Sequence, residues 1–173
     1  MHLLIVLFSI YAVWRRADLR NWQVYHPTML YMALGNAMYN FICANYLLWE
    51  LRPDIMPNHS LTEYLHTLIT FPATVLLFLG GYPKGGGRLK VLLHYLFWIG
   101  LYAGVESVFA LTNRIVYNHG WNLMWSILFD FMMFPMLRLH ARHPLAAYVL
   151  SIPISTILIM IFDVPVHIPI PQR

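Results

Sequence analysis

The sequence has few charged residues. Only 10% of its 173 residues are Asp, Glu, Lys or Arg, whereas 60% are hydrophobic. An ordinary soluble domain carries about 25% charged residues. This shortage excludes a typical soluble globular domain and indicates a membrane protein.

Cysteine and acidic residues are scarce as well. The single Cys43 lies in an apolar segment, so the chain forms no internal disulfide and gives no sign of its redox compartment. The chain has seven acidic residues and eleven Lys and Arg, which gives a formal net charge of +4. A basic balance can point to nucleic acid, but here the basic residues lie in short loops between apolar runs. There they act as orientation signals, and we predict no nucleic-acid partner.

Long apolar runs, by contrast, are plentiful. A bilayer-spanning helix needs about 20 residues, and the runs that meet this length are 28–49, 60–81, 88–112, 120–139 and 144–162. The first run, 2–14, is shorter and forms either a short span or an interfacial helix. The sequence therefore predicts an all-α, polytopic transmembrane helix bundle of about six spans, or five if the first run is interfacial. Residues 1–173 form a single transmembrane domain with the lipid bilayer as its partner.

The charges of the loops predict the orientation of the bundle. Eight basic residues lie in the first, third and fifth loops, and three lie on the opposite side. Because cytoplasmic loops are enriched in Lys and Arg, both termini are expected outside. We also expect four arginines at the inner boundary to contact anionic lipid head groups: Arg15, Arg16, Arg138 and Arg142.

The chain contains a weak internal repeat. The segments "NHSLTEYLHTLITFPATVLLFLGGYP" and "NHGWNLMWSILFDFMMFPMLRLHARHP" share an Asn-His start, a Phe-Pro about two-thirds along and a closing proline. This pattern suggests a duplicated hairpin in which 28–83 corresponds to 88–144.

Several motifs in order give the chain a family likeness: "WRRADLRNWQVYHPT", "GNAMYN", "LLWE", "NHSLTE", "FPATVLLFLG", "NHGWN" and "FPMLRLHARHP". The chain resembles an uncharacterised family of small multi-spanning membrane proteins of endospore-forming Gram-positive bacteria. The likeness covers almost the whole length. It implies a multi-pass protein of the bacterial cytoplasmic membrane, but it implies no reaction, cofactor or ligand.

A polar stripe follows one face of the third run. Glu63, His66, Thr67, Thr70 and Thr74 fall within about 100° of a helical projection. The pattern from Ser60 to Glu63 is typical of a capping box, which would give Glu63 a structural role. The spacing of Glu63 and His66 also suits a pair of metal ligands, although weakly. His66 is expected to hydrogen-bond a neighbouring helix, and the threonines to bond carbonyls one turn earlier or other helices.

Two acids lie deep in later runs. Asp130 falls near the bilayer centre, where an aspartate costs about 2.5 to 3.5 kcal/mol, so it must face the bundle interior and be protonated or paired. Glu106 lies in the outer third of its helix. The neighbouring Gly100 and Gly104 predict close approach of another helix that shields this carboxylate.

Asn36 and Asn40 share one face of the second run, a spacing typical of amides that join helices. The polar residues Asn40, His66, Thr70, Glu106 and Asp130 map to the middle or outer half of their helices. Their common depth predicts a polar cavity that opens outward. We take as ligand- or proton-binding candidates Asp130, Glu106, His66, Asn40, Asn36 and Thr70.

Three functions are compatible with these residues. The first is binding, sensing or passage of a small polar solute or a proton through the cavity. The second is an intramembrane enzyme, metal-assisted through Glu63 and His66, and the third is a structural or accessory subunit whose polar residues join helices. No nucleophile motif or complete set of metal ligands appears, so binding without catalysis is favoured and no cofactor is predicted.

Overall fold

The computed structural model of the chain describes residues 1–83, 85 and 87–173. It is mostly helical, which confirms the all-α prediction. A π-helical turn, His66–Thr70, joins α3 to α4, and a 3-10 turn, Ile170–Gln172, lies near the end. The remaining elements are α1 (His2–Arg16), α2 (Trp22–Ile42), β1 (Trp49–Leu51), α3 (His59–Leu65), α4 (Phe71–Gly80), α5 (Arg88–Leu111), β2 (Ile115–Tyr117), α6 (Leu123–Arg142) and α7 (Pro144–Ile161).

Within the described residues, three helices are long and apolar enough to cross a membrane: His59–Gly80, Arg88–Leu111 and Pro144–Ile161. The first of these is α3, the π-turn and α4 taken together. Large apolar side chains are exposed on the outer faces of α5 and α7, among them Leu89, Leu93, Val149 and Met160. Exposed apolar surface on this scale suits contact with lipid.

Two short strands hold one end of the bundle together. β1 lies between α2 and α3, β2 lies between α5 and α6, and they pair antiparallel with Trp49 opposite Tyr117. The start of α1 joins the same end, because the His2 backbone N–H donates to Asp54 Oδ2 at 3.0 Å. The segment after α7 also returns there, since Asn45 Nδ2 donates to the Ile170 carbonyl at 2.9 Å. With α3, the π-turn and α4 taken together as one helical rod, and each other helix as a rod of its own, consecutive rods along the chain therefore alternate in direction.

We call this end of the bundle, which carries β1 and β2, the hairpin end. The opposite end, called the basic end, carries the residues around Arg15, Arg20, Arg88 and Arg142. Lys84, which the charge pattern also assigns there, lies outside the described residues. The separation of acidic hairpin-end residues such as Glu50 and Asp54 from this arginine-rich end agrees with the charge alternation of the loops.

The second helix is displaced from its predicted position. The apolar run suggested 28–49, whereas α2 begins at Trp22 and ends at Ile42. Pro27 lies within the helix and removes a single bond, to the carbonyl four residues earlier, so a position this close to the start is tolerated. After Ile42 the chain turns through Asn45, whose φ is 61°, and enters β1. Because β1 pairs with β2, the apolar residues from 43 to 49 belong to the turn and the strand and not to α2.

The main core lies towards the basic end. It is built from α2, α4, α5 and α6, and its most completely buried side chains are Val75, Phe78, Phe134 and Leu137. Smaller clusters pack under the hairpin end, one around Trp121 and Phe162 and another around Leu51 and Phe109. Between these clusters the helices separate and leave an internal cavity.

Candidate functional site

One cavity of about 1440 Å³ runs along the inside of the bundle. Its walls come from every long helix, and most of its lining is aliphatic or aromatic. Its polar groups lie between the two packed regions. Five of the six predicted site residues line this one cavity: Asn36, His66, Thr70, Glu106 and Asp130.

Asp130 is the most unusual group in the cavity wall. Its side chain lies on α6 and is only 5% exposed. Among the described residues, its Oδ2 atom has no hydrogen-bond partner. A buried polar atom without a partner costs about 1 to 3 kcal/mol, so such atoms are rare in folded proteins. Asp130 Oδ2 is therefore the atom in this cavity that most requires a partner.

Glu106 faces the same space from α5. Tyr117, on β2, donates from its hydroxyl to Glu106 Oε1 at 2.7 Å. Burial, together with this bond, raises the pKa of Tyr117 above its ordinary value, so the phenol keeps its proton and remains a donor. Glu106 lies within electrostatic range of Asp130. The wall thus carries two neighbouring carboxyl groups, one of which is tied to the hairpin end.

The predicted glycine contact beside Glu106 is wrong. A Cβ atom added at Gly100 or Gly104 would meet no described atom within 4 Å. Both glycines are exposed on the outer face of α5, and Glu106 points to the other side. The cavity wall, rather than a closely packed helix, is what keeps this carboxylate away from lipid.

His66 is part of a chain of hydrogen bonds from the hairpin end into the cavity. His2 Nε2 lies 3.0 Å from the Arg52 carbonyl, His2 Nδ1 lies 3.1 Å from His66 Nε2, and His66 Nδ1 lies 3.1 Å from Thr70 Oγ1. A carbonyl only accepts, so His2 Nε2 carries a proton. With both rings neutral, His66 donates to His2 and the Thr70 hydroxyl donates to His66. The expected bond from His66 to a neighbouring helix is confirmed.

The π-turn positions His66 and Thr70. Pro72 has no N–H, so the carbonyl of Leu68 loses its usual helical donor. The helix widens at this point, and the Phe71 N–H bonds the His66 carbonyl five residues earlier. Single π-turns within α-helices frequently occur at functional sites. The insertion keeps His66, Thr70 and Thr74 on the cavity side, while Thr67 turns away from it.

Glu63 does not cap its helix, contrary to the prediction from the capping-box pattern. The N-cap residue of α3 is Asn58, whose side-chain oxygen accepts from the Leu61 N–H at 2.9 Å. Glu63 is 5% exposed, and its Oε2 accepts from Asn36 Nδ2 at 2.9 Å. The same Asn36 nitrogen lies 2.8 Å from Thr67 Oγ1. Asn36 therefore joins α2 to α3 and the π-turn, as predicted for an amide between helices.

Asn40 is separated from the other candidates. Its side-chain nitrogen donates to the Asn36 carbonyl of its own helix at 3.0 Å. It lines a second, smaller cavity of about 430 Å³ on the far side of α3, together with His59 and Thr67. Glu63 is the residue that borders both cavities.

The structure adds polar groups that the sequence pattern did not single out. Tyr102, on α5, donates to Thr74 Oγ1 at 2.8 Å and lies within electrostatic range of Asp130. Ser126, one turn before Asp130, accepts from Trp121 Nε1 at 2.9 Å. His2 completes the histidine pair. The four-residue spacing of Ser126 and Asp130 was a usable signal, but the roles of His2 and Tyr102 depend on contacts across the bundle.

Among the described residues, no group of three or more His, Cys, Asp or Glu side chains is placed to hold a metal ion. Glu63 bonds Asn36, and His66 bonds His2 and Thr70, so the two weak metal candidates have different partners.

The fold and the cavity define the class as a helical protein with candidate membrane-spanning helices and an internal, partly acidic chamber. Comparison with known protein families, curated proteins and solved structures finds no match for the chain. The likeness to a family of endospore-forming bacteria therefore stays a prediction.

Proposed function

We propose that this protein is a six-span protein of the bacterial cytoplasmic membrane, with both termini outside, that binds a small molecule in its central cavity. Asp130 is the main polar contact for the bound molecule, and Glu106 is its neighbour. His66 reports or relays protons between the cavity and the hairpin end. In this proposal the protein first binds the molecule, and any sensing or passage of the molecule follows from that binding.

The observation that carries this proposal is the unpaired Oδ2 of the buried Asp130 in the wall of a large cavity. Ligand cavities in proteins are mostly apolar, with a few polar groups that fix the orientation of the ligand. Ionisable groups within membrane segments are costly and usually functional. An Asp whose task was to join helices would have its oxygens paired by neighbouring side chains, as Glu63 is paired by Asn36.

The alternating direction of the helical rods supports six crossings. α2 and α6 have 21 and 20 residues, enough for a bilayer, although they are less apolar than the three candidate spans. α1 has 15 residues, about 22 Å of helix, so it crosses only where the bilayer is thin or its arginines extend to the head groups. Arg15, Arg16, Arg138 and Arg142 lie at the basic end, where anionic head groups would meet them.

Native mass spectrometry tests binding directly. We expect protein released from its own membrane in nonionic detergent to carry a small molecule of discrete mass. Asp130→Leu should lose it, because an apolar side chain cannot bond the polar group of the ligand. The control is Asp163→Asn, which removes one acidic charge at an exposed turn outside the cavity and should keep it. A wild-type protein with the mass of the bare chain would contradict the proposal.

A further inference from the structure

The central cavity has an opening at its side. At the hairpin end α1 and α5 meet, because the His2 ring packs on Phe109 at 4.6 Å between centroids. Farther along, α1 packs on α4 and α5 packs on α6. Phe8 and Tyr11 on α1, and Phe97 on α5, line the cavity and yet are 55% to 63% exposed. We call the space between these rings the side gap.

The side gap faces the region that lipid would occupy. Its rim is formed by aromatic and aliphatic side chains. A water-soluble solute would gain little from such a route, whereas a molecule with an apolar chain enters it from the bilayer without leaving an apolar medium. The volume of about 1440 Å³ also exceeds the 300 to 1,000 Å³ that is usual for small-molecule pockets, which leaves room for a chain.

The charges inside the cavity select the head group. Glu63, Glu106 and Asp130 are the acidic residues of its lining. Of the described residues, the Lys and Arg that line it are Arg15 and Arg16, at the basic end. Along the helices, Arg15 lies about 20 Å from the hairpin end and Asp130 about 12 Å, so the arginines are not level with the acids. The free Oδ2 of Asp130 therefore faces an acidic region without a resident cation.

We propose that the cavity binds an alkylammonium amphiphile, with its ammonium group at Asp130 and Glu106 and its apolar chain along the side gap. This inference rests on the proposed function and names the class of ligand. The ammonium group donates to Asp130 Oδ2 and offsets the like charges of the two acids. Tyr102, which lies within electrostatic range of Asp130, supplies ring surface in the same cavity wall, and such a surface suits a cation. The ammonium group belongs either to a single-chain amine or to a phospholipid with an ethanolamine head group.

Three probes with the same chain test the head group: octylammonium, octanol and octanoate. With the protein in maltoside detergent, we expect octylammonium to raise the unfolding temperature in a saturable way and the other two to have little effect. Truncating one partner of a buried charge pair typically costs enough to weaken binding about thirtyfold or more. We expect this loss in Asp130→Asn and a smaller loss in Glu106→Gln, with Asp163→Asn unchanged.

Methylammonium tests the apolar chain, and we expect it to bind far more weakly than octylammonium. Competition by phosphatidylethanolamine would identify a lipid head group as the source of the ammonium, and its absence would identify a free amine; both keep the proposal. Asp130-dependent binding of octanol or octanoate at equal strength would overturn the ammonium head group but leave the proposed function standing. If none of the probes binds and the native protein carries no adduct, the proposed function fails as well. Should Asp130→Asn not fold, Glu106→Gln gives the same discrimination.

Discussion

At the scale of single residues, Glu63 and Asp130 are two equally buried acids that differ in their hydrogen-bond partners. Glu63 and Asp130 are both 5% exposed. Glu63 receives a hydrogen bond from Asn36, whereas one oxygen of Asp130 has no partner among the described residues. The proposed binding role of Asp130 therefore rests on its missing partner and not on its depth.

This difference predicts the effect of a substitution on the stability of the ligand-free protein. Without ligand, Asp130→Leu removes an unsatisfied buried oxygen, so we expect the free energy of unfolding to rise by about 1 to 3 kcal/mol, although the variant no longer binds the ligand. Tryptophan fluorescence during thermal unfolding in detergent measures the change. The control Asp163→Asn should stay within about 0.5 kcal/mol of the wild type. A clear loss of stability in Asp130→Leu would show that Asp130 has structural partners.

The bond between Tyr117 and Glu106 gives a second prediction at this scale. Tyr117→Phe removes the donor of a partly buried bond and should lower the free energy of unfolding by about 0.5 to 1.5 kcal/mol. Combined in a double-mutant cycle with Glu106→Leu, which removes the acceptor, it should show a coupling of about 0.5 kcal/mol or more. The exposed Tyr64, changed to Phe, serves as control. Strictly additive effects would mean that the two side chains do not interact in the membrane.

At the scale of elements, the π-turn and the β1–β2 pair control the site. The π-turn places His66 and Thr70 in the cavity wall, and β2 brings Tyr117 to Glu106. Both act through backbone geometry: one is caused by a proline that cannot donate, and the other by the pairing of loops far apart in sequence.

The outer face of α5 at Gly104 contacts no other described residue, and this open space leads to a prediction about stability. Gly104→Ala should raise the free energy of unfolding by about 0.5 to 1 kcal/mol, because the helix interior gains an alanine and the added methyl meets open space. Gly120→Ala is the matched contrast. Gly120 has a φ of 83°, where a side chain costs about 1 to 2 kcal/mol, so this variant should be less stable. A destabilised Gly104→Ala would indicate a partner on this face.

At the scale of the whole molecule, the alternating rods predict which loops share a side of the membrane. In a Cys43→Ser background, a membrane-impermeant maleimide should label Thr112→Cys and Ile55→Cys in intact cells, since both lie at the hairpin end. Arg20→Cys, at the basic end, should react only after permeabilisation. The reverse pattern would invert the orientation.

The first helix needs a separate measurement. A protease-cleavable tag placed ahead of Met1 should be cut in intact cells if α1 crosses the membrane. If the tag resists protease in intact cells, just as Arg20→Cys resists maleimide, the N-terminus lies on the same side as the basic end. The chain then crosses the membrane five times and α1 is interfacial.

Much of the fold was predictable from the sequence, because apolar runs and loop charges are local properties. The runs locate most of the helices, and Asp130 could be assigned to the interior since lipid does not tolerate an unpaired acid. The polar stripe from Glu63 to Thr74 was predicted on a regular α-helix. Pro72 instead widens that helix at the π-turn. Thr67 faces away from the central cavity, whereas Glu63, His66, Thr70 and Thr74 line it.

The sequence alone determined that the chain is helical, rich in lipid-compatible surface and in need of an interior for its rare acids. These properties follow from composition and period, which each residue carries with it. Only the tertiary structure decided which polar groups met. It joined His66 to His2, moved Asn40 to a separate cavity and left Asp130 Oδ2 without a partner. Such contacts depend on how separate helices pack, and no spacing along the chain encodes them.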